Sequence, residues 1–342
     1  MRIKKRSREF VEYLKNRLGP EDRALVALHD NPDPDCIASG LCLKTIFERV
    51  YHVPTVLAYD GLLGRTENRK MVEVCGIDLE KVEDIDKDSF SFVATVDSQP
   101  SAGNTFVDDS FKVDMILDHH PRLSRKRNVP WVDIRLKYGA CVTIALEYLL
   151  AHDIEPDNGL STALFYALKS ETQDLGREAS SADRQAYFYL LTRANFKSVY
   201  SIVNADLSRE YFRSVFSGLD HARIHKDTLV TFIDKVETPD YVAESADRLL
   251  RLEDIAWTLV MGLHDDNMHL SIRTARRDAD AGEIMHRLLK GMGTGGGHEM
   301  IAGGQISGVD GERYMELYEK LSKRFLNLLH KRAPGSDLLE ED

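Results

Sequence analysis

Cysteine is scarce in this chain: Cys36, Cys42, Cys75 and Cys141 are the four in 342 residues, and no two form a Cys-x-x-Cys pair. Such spacing excludes a thiolate zinc site or a disulfide framework and suits a reducing compartment. All four read as small buried hydrophobes. Long apolar runs are also missing; nothing approaches the roughly 18 consecutive residues of a membrane-spanning helix. The basic N-terminus lacks the apolar stretch of a signal peptide. The expectation is a cytoplasmic protein with no membrane partner. Excess positive charge is absent too. Lys and Arg number 45 against 56 Asp and Glu, a net charge of −11, which argues against broad binding to extended duplex nucleic acid. A small anion remains open, because metals and a few arginines can reverse a local field. Two basic stretches, residues 2–8 and 122–127, read as solvated surface.

What is present is a soluble composition, 43% hydrophobic and 30% charged, at a length that favours two domains. The first half alternates strand-like and helix-like segments. Strands are predicted at 24–28, 55–58, 92–96 and 113–117, with helices at 36–51 and 68–75, the signature of a helix-covered parallel sheet. From 139 to about 224 the apolar spacing is helical, over 140–150, 160–168, 184–191 and 211–224. A second α/β pattern follows: a strand at 229–233, a helix at 243–252, and a hairpin of 256–263 with 269–273. Then come a helix at 281–289, a glycine-rich loop and a helix at 312–329. The fold class is therefore α/β with two domains. Residues 1–200 form the parallel-sheet domain, 201–225 a helical linker, 226–335 the smaller α/β domain and 336–342 an acidic tail.

Hard metal ligands stand where the apolar strands end. His29, Asp33 and Asp35 follow 24–28, Asp97 closes 92–96, and Asp118-His119-His120 closes 113–117. Ligands from three strand ends suit a site at the carboxyl edge of an α/β sheet. Carboxylates grouped there repel one another unless cations neutralise them. Oxygen donors mixed with imidazole favour two divalent ions, Mn²⁺ first and Mg²⁺ as the alternative, over a thiolate metal. A pair of such ions serves phosphoester hydrolysis. Further on, Gly295-Gly296-Gly297-His298 exposes backbone N–H groups, which bind anions well, and a helix starting at His298 would add its dipole. Arg273 ends a predicted strand, where a guanidinium can grip phosphate or lie on a base.

His29-x-x-x-Asp33-x-Asp35 with Ser39, then Asp97, then Asp118-His119-His120, resembles the DHH phosphoesterase superfamily. Gly295-Gly296-Gly297-His298-x-x-x-Ala302-Gly303 resembles that superfamily's DHH-associated domain of the first type. The resemblance implies one ion on His29, Asp33 and Asp97, and a second on Asp35, Asp97, His119 and one more carboxylate. That last ligand is sought in Thr172-Gln173-Asp174-Leu175-Gly176. Asp174 is the assigned residue, and Glu171 stands as its rival because Gln173 interrupts the family pattern. Asp118 is expected to orient a histidine, His120 to face the phosphate, and Arg273, Gly295, Gly296, Gly297 and His298 to hold substrate.

The implied activity is that of the compact oligoribonucleases that also dephosphorylate 3′-phosphoadenosine 5′-phosphate. The expected substrate is a short RNA or linear dinucleotide, cleaved to mononucleotides with Asp97, Asp118 and His120 as catalytic residues. The helical linker would let the second domain close over the metals. A cyclic-dinucleotide phosphodiesterase and a non-catalytic nucleotide-binding regulator are the competing readings, and a homodimer is compatible with the sequence.

Overall fold

The computed structural model describes residues 1–100, 102–122, 128–177, 179–331 and 334–339; the side chains of His298 and Glu312 lie outside the described residues. Most of the basic stretch at 122–127 and the end of the acidic tail are likewise outside them. The chain divides into two compact units, Met1–Ala205 and Asp206–Asp342. No helix among the described residues is long and apolar enough to cross a membrane.

In the first unit the elements run α1 (Lys5–Arg17), β1 (Ala24–Ala27), α2 (Pro34–Tyr51), β2 (Thr55–Tyr59), α3 (Thr66–Cys75), β3 (Glu80–Lys81), β4 (Phe92–Val96), β5 (Met115–Asp118), β6 (Trp131–Ile134), α4 (Cys141–Ala151), α5 (Asn158–Glu171), α6 (Ser181–Leu191) and α7 (Phe196–Val203). The six strands form a sheet in the order β3-β2-β1-β4-β5-β6, and all neighbours are parallel. Strands buried on both faces carry continuous apolar sequence, and β1, β2 and β4 are buried at every position. Ala24, Val26 and Leu28 face a core shared with residues of α2, α4 and α5. Leu25 and Ala27 face a smaller cluster with Val107, Phe111 and Val113.

The strand order reverses between β1 and β4. Ligands of open α/β sheets bind beyond the carboxyl ends of the strands at such a switch point. Helix α2 leaves this edge tightly. Asp33 caps it by accepting from the Cys36 N–H, and Pro34 occupies the first turn, where the missing N–H costs nothing. A Cβ on Gly40 would come within 2.7 Å of Leu28 Cδ2, so glycine lets α2 lie against β1.

The second unit contains α8 (Arg209–Asp220), β7 (Arg223–His225), β8 (Thr228–Ile233), α9 (Asp240–Leu249), β9 (Trp257–His264), β10 (Asn267–Thr274), α10 (Ala281–Leu289), β11 (Thr294–His298), β12 (Ile301–Ser307), α11 (Gly311–Leu328) and β13 (Ser336–Asp337). Its sheet runs β11-β12-β10-β9-β8-β7-β13, with β8 and β9 parallel. Helices α10 and α11 bury Met285, Leu288, Leu321 and Phe325 on one face. Helices α8 and α9 bury Tyr211, Val242 and Ala246 on the other.

Three differences from the sequence pattern have local causes. The helix expected over 211–224 ends at Asp220, and 223–225 turns back as β7. A two-residue turn at Lys226 and Asp227 makes that reversal, with Lys226 left-handed at φ 62°, as tight hairpins require. The glycine-rich segment expected as a loop is strand β11, paired with an unpredicted β12; no helix starts at His298. Here glycine serves packing: a Cβ on Gly295 would lie 2.8 Å from Leu289 Cδ1, and one on Gly282 would lie 2.3 Å from the Gly297 carbonyl oxygen. Strand β6 escaped the pattern because Asp133 interrupts four residues.

Asp133 belongs to a polar knot joining α1, β6 and α4. Arg135 donates to Asp133 (Nη2–Oδ2 2.8 Å), to Glu147 (Nη1–Oε2 2.8 Å) and to Ser7 Oγ (2.8 Å). The Tyr148 hydroxyl donates to Asp133 at 2.6 Å, and the Tyr138 hydroxyl donates to Glu147 at 2.7 Å. Glu147 is 0% exposed. Removing the one cation leaves two buried carboxylates uncompensated, which costs about 3–5 kcal/mol. Arg135→Met should lower the urea midpoint accordingly without changing the denaturant slope; a midpoint equal to the parent's would show that the knot is not stabilising.

Candidate active site

Every ligand expected from the first half except Asp174 converges at the carboxyl edge of the six-stranded sheet. His29 follows β1, and its Nδ1 is 2.9 Å from the Asp30 carbonyl oxygen. That contact turns Nε2 inward, 3.7 Å from Asp33 Oδ1 and 3.8 Å from Asp97 Oδ2. His119 follows β5 and is held in the same way, with Nδ1 3.1 Å from the Tyr138 carbonyl oxygen. Its Nε2 lies 3.4 Å from Asp97 Oδ1 and 3.8 Å from Asp35 Oδ2. Carbonyl acceptors at Nδ1 are the usual means of fixing a metal-ligating imidazole. Asp97 thus lies between two groups: His29 with Asp33, and His119 with Asp35.

Local backbone builds this arrangement. Asp97 is left-handed at φ 54°, a conformation that Asp tolerates better than most residues. Its N–H still donates to the Leu117 carbonyl at 2.8 Å, so the turn begins one residue past β4. Asp35 accepts from the Cys141 N–H at 2.6 Å and the Val142 N–H at 2.7 Å. It therefore caps α4 from another element and receives the helix dipole's positive end. Asp118 accepts from the His119 and His120 backbone N–H groups, at 2.8 and 3.1 Å. It also accepts from Gln99 Nε2 at 2.7 Å and lies 2.9 Å from His120 Nδ1. Asp118 thus lies against His120 Nδ1, and Gln99 holds Asp118.

The fifth carboxylate differs from the assignment. Asp174 points away from the edge; its carboxylate is 2.5 Å from Lys169 Nζ and accepts from the Tyr187 hydroxyl at 3.0 Å. The cause is backbone: α5 ends at Glu171, and Gln173, Asp174 and Leu175 are all left-handed, at φ 47°, 56° and 66°. This turn carries Asp174 outward and leaves Glu171 inside, within electrostatic reach of Asp33, Asp35 and His119.

Burial, and then the charge of Asp97, push the Asp35 carboxyl well above its usual range. Burial and then Asp33 do the same to Asp97, and burial raises Glu171 with Asp33 adding to it. Asp33 goes the other way: burial is outweighed by His29, which holds it down at about 2. Asp97 Oδ1 and His119 Nε2 are buried and find no hydrogen-bond partner among the described residues. Within unit 1, ligand atoms of Asp97, His119 and His120, and of His29, Cys36 and Asp97, lie within 4.8 Å of one another. Orphaned donor atoms among mutually repelling buried carboxylates fit divalent cations. His29, Asp33 and Asp97 would hold one; Asp35, Asp97, His119 and Glu171 would hold the other.

Sequence reading leaves Gln99 unassigned and takes Cys36 only as a small buried hydrophobe. It leaves open whether the helix start at Gly139-Ala140-Cys141-Val142-Thr143, which supplies the Cys141 and Val142 amides, serves the site or only packing. The signal for the amides was there in Gly139-Ala140-Cys141, small residues at a helix start; Gln99 carried none beyond its place two residues after Asp97. In the second unit, Arg273 is buried against α9. Its Nε lies 2.5 Å from Asp247 Oδ1 and its Nη1 donates to Ser271 Oγ at 2.7 Å. Gly295, Gly296 and Gly297 sit in β11 at the sheet edge, where alternate N–H groups of an antiparallel strand face outward. The His298 side chain is outside the described residues.

Residues 23–168 match the family model described as DHH family, N-terminal domain, and residues 225–327 match the DHHA1 domain. An uncharacterized protein of Methanocaldococcus jannaschii is 34% identical over 283 residues, 82% of this chain and 57% of that protein; the chain spans little more than half the length of this relative. An exopolyphosphatase-related protein from Bacteroides fragilis has a similar structure, with TM-score 0.74 at 13% identity over 95% of this chain and 97% of that one. RecJ from Thermus thermophilus, solved with Mn²⁺, gives TM-score 0.57 at 13% identity over 96% of this chain and 55% of that one.

Two outcomes test the site. A carboxyl whose folded pKa is raised contributes stability below its unfolded value, near 4, and loses it as pH rises through the folded value. In EDTA at pH 8, Asp97→Asn should therefore melt above the parent, with the gap closing toward pH 4, and Mn²⁺ should no longer raise its Tm. A variant that melts below the parent at pH 8 would contradict the repulsion. In Mn²⁺ titrations by calorimetry, Glu171→Gln should lose or weaken one of two sites while Asp174→Asn keeps both; the reverse pattern would restore Asp174.

Proposed function

We propose that this chain, which belongs to the DHH superfamily and carries its DHHA1 domain, is a divalent-metal phosphodiesterase acting on short oligoribonucleotides or linear dinucleotides. Mononucleotides are the products, and 3′-phosphoadenosine 5′-phosphate is a further substrate of the same site. The observation that carries this reading is Asp97, a buried carboxylate between two imidazole–carboxylate groups, with its Oδ1 and His119 Nε2 left unbonded.

Two divalent ions bound there, Mn²⁺ before Mg²⁺ on the mixed oxygen and imidazole donors, supply activated water and positive charge for the phosphoryl oxygens. The chain's own residues set the rest. His29 and His119 present Nε2 because carbonyl oxygens occupy Nδ1. Burial opposes a charge on His120, but the hydrogen bond to Asp118 and the charge of Asp97 raise its pKa. Its half-exposed imidazole is thereby kept as a proton donor toward a phosphoryl oxygen. Gln99 and the two backbone N–H groups hold Asp118 so that this donor does not swing. In this reading residues 226–335 bind the rest of the substrate through Arg273, Gly295, Gly296, Gly297 and His298. A regulator that had lost catalysis has no need of a full ligand set; the convergence of His29, Asp33, Asp35, Asp97 and His119, with Glu171 within electrostatic reach, supports the enzymatic reading.

The test is incubation with Mn²⁺ and 5′-labelled RNAs of two, five and twenty-four nucleotides, beside phosphoadenosine phosphate and a cyclic dinucleotide. Fast loss of the shortest RNAs, with Asp97→Ala inert, is the expected result. Preference for the cyclic compound would make the protein a signalling phosphodiesterase. Two ions bound but no turnover of any substrate would sink the enzymatic reading.

A further inference from the structure

Cationic side chains gather toward the end of α11. Glu312, Arg313, Glu316 and Glu319 come first, and Lys320, Lys323 and Arg324 follow with no acidic residue after them in the helix. Basic residues in a helix's last turns complement its dipole, which accounts for part of this. It does not account for Arg287, which comes from the neighbouring α10 to the same place. Arg287, Lys320, Lys323, Arg324 and His330, with Asn327 and Leu328, line a cavity of about 410 Å³. Among the described residues no carboxylate lines it, in a chain whose net charge is −11.

Among the described residues Arg287 and Lys320 enter no ion pair, although Glu283 and Glu316 stand four residues before them on the same helices. Arg324 donates only to the Lys290 carbonyl oxygen, at 3.3 Å, and Lys323 has a long contact with Glu319 at 3.9 Å. This face carries α10 and α11. Arg273, by contrast, reaches α9 on the opposite face of the same sheet, so the basic cavity is separate from Arg273.

We infer that this cavity is a second anion site, one that grips the phosphodiester backbone of single-stranded nucleic acid. Four of the seven lining residues are permanently cationic, and among the described residues the lining holds no Phe, Tyr or Trp platform. Phosphate contact therefore dominates, with His330, Asn327 and the arginines as the groups that could also meet a base. The helical part of the lining, Lys320 to Leu328, spans about 12 Å at 1.5 Å per residue, longer than one phosphate and suited to consecutive ones. The choice of nucleic acid as the polymer rests on the proposed function; the anion site itself rests on the cavity alone.

Binding is read without turnover, in EDTA, from the anisotropy of a fluorescein-labelled 24-nucleotide oligouridylate added to the full chain. Four permanent charges give a slope of log K against log salt near −3, at about −0.7 per phosphate on a single strand. The triple variant Arg287→Ala, Lys320→Ala, Arg324→Ala should bind about tenfold or more weakly at low salt, with the slope flattened by about 2. A charge-keeping control (Arg287→Lys, Lys320→Arg, Arg324→Lys) should bind like the parent, which separates lost charge from lost folding. If the alanine variant binds like the parent, the site is refuted. Displacement by uridine monophosphate near the oligonucleotide's own Kd would mark a pocket for one compact anion and overturn the strand reading. Intact strand binding in a protein that cleaves no RNA would uphold this site while sinking the proposed activity.

Discussion

Buried negative charge at one sheet edge is the constraint around which the first unit is organised. Asp33, Asp35, Asp97, Asp118 and Glu171 gather where the chain offers two imidazoles and a third, half-exposed one in return. Burial and mutual repulsion raise Asp35, Asp97 and Glu171 together; the fold tolerates this by giving several of these carboxylates fixed N–H donors. Asp33 is met by the start of α2, Asp35 by the start of α4, and Asp118 by two backbone N–H groups and Gln99. Asp97 is the exception. It takes a left-handed backbone, one oxygen stays unbonded, and it alone touches both halves of the site.

That asymmetry divides the carboxylates by task. Residues tied into helix starts are positioned by backbone N–H donors. Asp97 has no such tie, so its environment is completed only by cations. Stability and function are opposed at this one residue, as is usual where strain and unsatisfied groups cluster. The Arg135 knot behind β6 shows the contrasting solution, in which buried carboxylates receive a permanent cation and hydroxyl donors and nothing is left for a ligand.

Much of this was legible in sequence because strand ends are legible. The apolar runs at 24–28, 92–96 and 113–117 end one residue or less from His29, Asp97 and Asp118, and a parallel sheet puts such ends on one edge. Asp174 was not legible, and the reason is local. The Thr-x-Asp spacing suggested a helix-end ligand, but three consecutive left-handed residues at Gln173, Asp174 and Leu175 reverse the chain, and left-handed runs of non-glycine residues have no sequence signature. Helix α5, expected over 160–168, runs on to Glu171, so Glu171 lies in the last helical turn and takes the inward position. Short elements failed for a different reason: β6 and β7 have too few residues for periodicity to show.

The glycine-rich segment shows that one residue pattern can satisfy two constraints at once. Read as sequence, Gly295-Gly296-Gly297 is a loop that bares its N–H groups to an anion. In the structure it is an edge strand pressed under α10, where side chains at Gly295, Gly297 or Gly304 would collide with Leu289, Ala302 or Met285. Packing alone explains why glycine is needed at these positions. It does not remove the outward N–H groups of an edge strand, which is where a phosphate would be met. A substitution here would damage the fold before it tested the anion contact. The informative residues of the second unit are therefore charged side chains that packing does not require, those of the basic cluster of α10 and α11.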